Sequence, residues 1–428
     1  MTSPSPPTQQ TLFPDLGPPE PRLDPDGIHA LLAGFDQFGS KSVSIRTLAG
    51  GRAIDTYVNE FWTSKQRAAN SLHEISYRAC FKPQLPRFFF DALTEPGDLV
   101  YDPFLGRGTT MLEAALCGRQ SVGCDVSPLS VPLTRPRMTP PTLPAIEERI
   151  AEIDFGGAVD TPDELLVFFH PDTLREICAL QAYLASRRLE GAIDEVDQWI
   201  EMVAINRLTG HSKGFFSVYT LPPNQAVTLE SQKKINARRD QRPDRRDVPD
   251  LILRKTRSLL SDVDDAVREQ LAQFDAATIL VGDAADTPHV ADDSVRLVVT
   301  SPPFLDVVQY KDDNWLRCWF CGIDAEAVPI SVHRKVDEWR DKMTKVFHEL
   351  MRVLQPGGYV AFEVGEVRGG KVRLDEVVVP CGRAAGLDPV LILINDQKFT
   401  KTANCWGVGN NQKGTNTNRV VLFRKAER

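Results

Sequence analysis

The 428-residue chain carries 58 aspartates and glutamates against 50 lysines and arginines, a formal net charge of −8. Hydrophobic residues make up 42% of it, enough for a sizeable core, and no stretch approaches the roughly eighteen apolar residues of a membrane-spanning helix. The eight cysteines follow no disulfide framework and the N-terminus shows no secretory pattern, so we expect a cytoplasmic protein with no membrane partner.

The chain begins with a proline-rich stretch. Residues 1–25 show little periodic apolar pattern, which predicts a disordered tail. Residues 26–132 follow as an N-terminal segment that leads into the first half of an α/β fold. The aromatic pair Phe61 and Trp62 lies within this segment, upstream of the first strongly apolar strand.

A βαβ unit is predicted next, of the kind that holds a nucleoside cofactor. An apolar strand runs into a turn that contains Gly106 and Gly108, a helix follows, and a second short strand ends on Asp125. The glycines allow a ligand to approach the backbone closely, and Thr109 or Thr110 can cap the helix. The terminal carboxylate can accept hydrogen bonds from ribose hydroxyls.

Residues 133–274 read as a mostly helical insert, because apolar residues recur there at helical spacing. Between Lys233 and Arg257 the insert holds ten cations against four anions. This surplus favours contact with nucleic-acid phosphates, although a solvated, salt-bridged helix face would show the same pattern. The predicted contact residues are Lys233, Lys234, Arg238, Arg239, Arg242, Arg245 and Arg246.

The catalytic half is assigned to residues 275–428, where an apolar strand ends in the tetrad Ser301-Pro302-Pro303-Phe304. Two prolines remove two backbone donors and leave carbonyl acceptors, while the serine hydroxyl can hold an exocyclic amine and the ring can stack on a base. The alternative is a strand-ending turn with a buried phenylalanine. Strands at 389–394 and 419–423 predict a terminal pair, and 404–416 a loop over the substrate end.

These motifs resemble a known family. The segment Asp102-Pro-Phe-Leu-Gly-Arg-Gly-Thr-Thr110 is similar to the cofactor motif DPFxGxGTT of amino-directed DNA methyltransferases, and the tetrad at Ser301 is similar to their catalytic motif. The resemblance implies a Rossmann-like class I methyltransferase sheet, mostly parallel with a reversed edge strand. It also implies S-adenosylmethionine as cofactor, no metal, and double-stranded DNA with a flipped base as substrate.

The serine at position 301 favours cytosine N4 as the methylated atom, because the family's adenine enzymes more often carry an acid or asparagine there. Adenine N6, an RNA base, and a catalytically silent DNA-binding subunit remain open. The cofactor half precedes the catalytic half, unlike the order expected of the Ser-Pro-Pro-Tyr enzymes, which weakens the inference of base identity. The resemblance also leaves open a cognate restriction nuclease as partner and a prokaryotic, nucleoid-associated location. The polar, aromatic and glycine-containing stretches at 209–219 and 221–226 assign the insert at 133–274 to target recognition, with a helical lid that makes no DNA contact as the alternative.

Together the pattern and the resemblance assign two sets of site residues. The catalytic set is Ser301, Pro302, Pro303 and Phe304. The cofactor-binding set is Phe81, Lys82, Pro83, Asp102, Pro103, Phe104, Gly106, Gly108, Thr109, Thr110, Asp125 and Asp283.

Overall fold

The structure is a computed structural model. It describes residues 22–62, 69–78, 80–221, 226–274, 278–305, 310–330, 333, 335–368, 371–396 and 418–427. Most of the predicted tail and the predicted loop at 404–416 lie outside the described residues. Residues 22–25 contact the body of the protein, because the Leu23 amide donates to the Ala92 carbonyl and helix α1 begins at Pro25.

Helices occupy both faces of the sheet and the long connection between its two halves. Their bounds are α1 Pro25–Gly34, α2 Gln84–Leu93, α3 Thr109–Leu116, α4 Ser130–Met138, α5 Leu143–Glu152, α6 Pro171–Leu189, α7 Glu195–Ile205, α8 Leu229–Arg239, α9 Val248–Leu259, α10 Asp265–Ala272, α11 Tyr310–Cys321, α12 Val336–Val353 and α13 Leu374–Ala384.

The strands are β1 Val43–Ala49, β2 Arg52–Asn59, β3 Leu99–Asp102, β4 Gln120–Asp125, β5 Thr278–Val281, β6 Val295–Thr300, β7 Leu354–Val364, β8 Glu366–Val367, β9 Val372–Arg373, β10 Asp388–Asn395 and β11 Asn418–Arg424. Among the described residues, nine of them form one sheet in the order β1-β2-β10-β11-β7-β6-β3-β4-β5, and β8 pairs with β9 apart from it.

The sheet is mostly parallel, which confirms the predicted fold class. Only β1 and β11 run against the other described strands of the large sheet. The predicted pairing of β10 with β11 is present, but β11 lies inside the sheet. The hairpin β1-β2 adds two strands beyond β10, with Gly50 and Gly51 both at positive φ in its tight turn. Such glycine pairs favour the turn types that suit the twist of a hairpin.

Alternate residues of the central strands point into two hydrophobic clusters, one on each face of the sheet. Val298 and Phe362 pack with α12 and α13, whereas Val299 and Ala361 pack with α1 and α2. Because both faces of the sheet are covered, the sequences of these strands are nearly continuous runs of apolar residues. The helices that follow β4 share a third cluster with α3, to which Leu112, Leu133 and Trp199 belong.

Candidate active site

The two sequence motifs meet at one edge of the sheet, because they follow the neighbouring parallel strands β3 and β6. The Thr300 hydroxyl donates to Asp102 Oδ1 at 2.6 Å, and the Thr110 hydroxyl donates to the Val299 carbonyl at 3.1 Å. The carboxyl ends of parallel strands are the usual position for a ligand crevice. The structure therefore brings together the predicted cofactor turn, residues 102–110, and the predicted catalytic corner, residues 301–304.

A cavity of about 500 Å³ lies between them. Its volume falls in the range typical of small-molecule sites, roughly 300–1,000 Å³. Residues from both predicted sets line it: Phe81, Pro103, Phe104, Gly106, Thr109, Asp125, Asp283, Ser301 and Pro303. The connection from α11 to α12 contributes further wall residues, among them Ile323 and Ile330.

The glycine turn serves two purposes. Gly106 lines the cavity at φ 52°, and a Cβ there would meet its nearest neighbour, Tyr77, at 3.5 Å. Gly108, at φ 74°, faces α4 instead, where a Cβ would lie 2.3 Å from Thr134 Oγ1. The prediction that both glycines admit a ligand is therefore wrong for Gly108, whose absent side chain allows α3 and α4 to pack.

The predicted helix cap at Thr109 or Thr110 is also wrong. Helix α3 begins at Thr109 after Gly108 in the left-handed conformation, without a side-chain cap. Thr110 donates its hydroxyl to Val299 on β6, and Thr109 accepts a hydrogen bond from Arg107 Nε. Both hydroxyls thus hold neighbouring segments rather than the end of the helix.

Asp125 fixes the shape of the glycine turn from the end of β4. Its Oδ2 accepts a hydrogen bond from the Gly106 amide at 2.7 Å, and its Oδ1 accepts one from the Ser127 amide at 2.8 Å. Burial raises the pKa of the Asp125 carboxyl, and these two hydrogen bonds oppose that rise. Because Asp125 also lines the cavity, its carboxylate is placed to receive ligand hydroxyls.

Asp283 follows β5, the strand that pairs with β4, and forms an ion pair with Lys342 of α12. Burial alone would raise the pKa of Asp283, but the hydrogen bonds from Lys342 and the Ala285 amide outweigh it, and the pKa lies below its ordinary value. Lys342 itself lines the cavity and is a site residue that sequence reasoning missed. Its signal was weak, since it is one of several charged residues on an amphipathic helix.

Asp102 is 1% exposed and does not line the cavity. Its Oδ1 also accepts a hydrogen bond from the Phe104 amide at 3.1 Å. Burial raises the pKa of Asp102 to about 6, against the hydrogen bonds from Thr300 and Phe104 that favour its ionised form. Asp102, which was predicted to bind the cofactor, is thus a buried residue whose hydrogen bonds connect the two motifs.

The catalytic corner is only partly open to the cavity. Ser301 and Pro303 line it, but the Pro303 carbonyl already accepts a hydrogen bond from Trp339 Nε1 at 2.8 Å. Phe304 is half-buried and packs against the hydrophobic cluster that contains Trp339, so its place in the structure gives the predicted stacking role no support. Among the predicted site residues, those outside the described cavity wall are Lys82, Pro83, Asp102, Gly108, Thr110, Pro302 and Phe304.

The basic segment divides into paired and unpaired cations. Lys233, Arg245 and Arg246 pair with Glu230, Glu176 and Asp244, respectively. Arg239 lies over the ring of Tyr219, 3.8 Å from its centre. For these four residues the salt-bridged or packed alternative describes the structure better than an open phosphate contact. Lys234, Arg238 and Arg242 are exposed and form no ion pair within the described part of the chain.

The chain matches the model of the N6_N4_Mtase family, described as DNA methylase, over residues 41–134. This match includes β3, the glycine turn and α3, and it confirms the predicted resemblance to that family. It also supports S-adenosylmethionine, the methyl donor of that family, as the cofactor.

Curated relatives match over parts of their length. The Type II methyltransferase M.BsoBI of Geobacillus stearothermophilus is 20% identical over 64% of this chain and 57% of its own. The tRNA (guanine(10)-N2)-dimethyltransferase of Methanocaldococcus jannaschii is 36% identical over 14% of this chain and 18% of its own. Across five such relatives the chain spans 13% to 57% of their length.

Among solved structures, a DNA modification methylase of Thermus thermophilus complexed with S-adenosyl-L-methionine is 22% identical over 34% of this chain and 52% of its own, with a TM-score of 0.23. A score this low supports no further comparison. Within the described residues, none of the helices is long and apolar enough to cross a membrane, and no cluster of three or more metal-ligating side chains occurs.

Proposed function

We propose that this protein is a site-specific DNA methyltransferase that moves a methyl group from S-adenosylmethionine to the exocyclic amine of a flipped base, with cytosine N4 favoured. The observation that carries the proposal is the shared cavity, in which Ser301 from the catalytic corner lies with Gly106 and Asp125 from the cofactor turn. Donor and acceptor groups held in one cavity react as if intramolecular.

The cavity suits S-adenosylmethionine, the proposed methyl donor. Asp125 and the backbone of the glycine turn would hold the ribose and the methionine end, and Asp283 with Lys342 would meet polar groups of the adenosine. When bound, S-adenosylmethionine supplies an electrophilic methyl group on a sulfonium. The apolar walls from Phe81, Phe104 and Ile323 would keep bulk water from that group.

The corner would activate the base amine. The nitrogen lone pair is delocalised into the ring, so the amine is a poor nucleophile until its geometry becomes tetrahedral. A hydrogen bond from the NH2 group to Ser301 Oγ, which lines the cavity, would favour that geometry as positive charge develops on nitrogen. The other predicted acceptor, the Pro302 carbonyl, belongs to a residue outside the cavity wall. Such differential stabilisation lowers the barrier without tighter binding of the unreacted base.

Nucleoside analysis tests the proposal directly. Amplified genomic DNA, which carries no methylated bases, is treated with the purified protein and S-adenosylmethionine. The DNA is then digested to nucleosides, which are identified by mass spectrometry. We expect N4-methylcytosine, with N6-methyladenine as the outcome that would reassign the base. A transfer RNA pool treated in parallel should gain no methyl groups; methylation of the RNA alone would overturn the assignment to DNA.

The three exposed cations are proposed to contact DNA phosphates. Replacing Lys234, Arg238 and Arg242 together with alanine should weaken duplex binding at all sequences and reduce the slope of log affinity against log salt by about one per lost contact. Fluorescence anisotropy across a salt series measures both. A matched control removes Arg254 and Arg257, which pair with Asp250 and Glu147 on α9 and α5. An equal loss of slope in the control would refute a specific role for the exposed three.

A further inference from the structure

Glu363 lies beside the catalytic serine at the carboxyl end of β7. Thr300 and Phe362 are register partners across β6 and β7, so Ser301 and Glu363 come next on their adjacent parallel strands. A side-chain hydrogen bond joins the two residues. Glu363 is 7% exposed, on a strand whose other residues are almost all apolar. A carboxyl group in this position requires a reason beyond packing.

The surroundings of Glu363 hold no compensating cation within the described residues. On β11 its register partner is Val420, and the adjacent Arg419 bonds to Asp375 and Glu366 instead. Asp102, at the end of β3 on the other side of β6, accepts its hydrogen bond from Thr300. Burial raises the pKa of Glu363 to about 7, and the hydrogen bond with Ser301 opposes the rise.

By contrast, Glu349 on α12 bonds to Arg352 and to the amide and hydroxyl of Thr287. The hydrogen bond from Arg352 is the main reason that its pKa falls to about 2. The same side chain thus stays ionised through the neutral range where it has a cation, and titrates in that range where it has only a serine. A carboxyl group that titrates near neutral pH can both accept and release a proton at working pH.

We propose that Glu363 is a positioning residue for the methyl transfer, which orients the Ser301 hydroxyl and receives through it the proton that the methylated amine must lose. The inference rests on the proposed function. The Glu363 carboxylate accepts the Ser301 O–H, so the oxygen lone pairs of Ser301 remain available to the base amine. This explains how a serine, itself a very weak base, can serve in proton removal.

The proton balance is complete. Methyl transfer leaves the amine nitrogen with one positive charge and one proton in excess. The N–H bond breaks as Ser301 Oγ takes this proton, while the original Ser301 proton passes to a Glu363 oxygen. The amine and the carboxyl group both end neutral, and the carboxyl proton passes to water before the next turnover. No electron transfer and no further reactant are required.

The test compares Glu363→Gln with Glu366→Gln across pH. Methyl transfer from tritiated S-adenosylmethionine to amplified genomic DNA gives kcat between pH 5.5 and 9, and calorimetry gives the cofactor Kd. Because the ionised form of Glu363 is the active one, wild-type kcat should fall as pH drops through about 7. Glu363→Gln should lose about 100-fold at pH 8 and show no such fall, with an unchanged Kd. Glu366→Gln, whose carboxylate faces Arg419, should keep the wild-type profile.

Glu363→Asp is the control for a folding defect in Glu363→Gln. It keeps a titrating carboxyl group, so its rate should still depend on pH, at a reduced kcat. If Glu363→Gln retains the wild-type rate or the wild-type pH profile, the role of Glu363 is overturned while the proposed function stands. If the wild-type protein transfers no methyl group to DNA at any pH, the proposed function fails and the inference fails with it.

Discussion

Ser301→Ala is expected to abolish most methyl transfer and to leave S-adenosylmethionine binding intact. The serine hydroxyl lines the cavity at the corner, where it would accept a hydrogen bond from the base amine in the transition state. Loss of one such contact in an enzyme costs about 10²–10³ in kcat. Tritium transfer to amplified genomic DNA measures turnover, and calorimetry measures cofactor affinity.

Asp125→Ala provides the complementary result. Its carboxylate holds the Gly106 and Ser127 amides and faces the cavity. We therefore expect weaker cofactor binding as the first effect, with turnover recovered at least in part at high cofactor concentration. Near-normal turnover of Ser301→Ala would remove the serine from the chemistry, and equal loss of cofactor affinity in both variants would show that Ser301 acts on structure alone.

Gly108→Ala is expected to destabilise the protein strongly. A Cβ at this position would lie 2.3 Å from Thr134 Oγ1, and the backbone is at φ 74°, where L-residues are strained. Overpacking costs about 1–3 kcal/mol and a left-handed non-glycine residue costs about as much again, so the free energy of unfolding should drop by roughly 3 kcal/mol or more. Urea denaturation, followed by circular dichroism, measures the change.

Two variants separate the clash from the backbone strain. Gly97 is at φ 88° with no heavy atom within 4 Å of a built Cβ, so Gly97→Ala reports the strain alone and should cost about 1–2 kcal/mol. Thr134→Ala combined with Gly108→Ala removes the opposing side chain. Because Thr134 Oγ1 has no hydrogen-bond partner in the described structure, its loss should cost little and should restore part of the stability. A double variant no more stable than Gly108→Ala would refute the clash.

Much of the site could be predicted because its parts are local. The glycine turn, the acid at the end of β4 and the double-proline corner are each contiguous in sequence, and parallel strands bring their carboxyl ends together. The cofactor turn was recognised from one short segment, Asp102 to Thr110. The structure then placed both motifs around one cavity, as this reasoning requires.

The remainder depends on contacts between distant segments. Lys342, Trp339 and Glu363 each reach the site from elements that carry no motif, and nothing local distinguishes them from other helix or strand residues. Similarly, Gly108 matches a cofactor motif, but its neighbour Thr134 lies on another helix. The hairpin β1-β2 is not among the predicted elements, although its Gly-Gly turn is a local signal, because the sequence of this segment indicates only an approach to the first strongly apolar strand.

The adjacency of β3 and β6 has a consequence for how the chain is made. The hydrogen bond between Thr300 and Asp102 spans 198 positions of sequence, a stretch that contains helices α3 to α10. During synthesis, β3 therefore emerges from the ribosome long before β6. One edge of β3 stays unpaired while the helices after β4 pack against α3. Loop closure on this scale delays long-range strand pairing. The crevice should thus be among the last features to form, and a nascent chain stalled before residue 300 would present an apolar strand edge to chaperones.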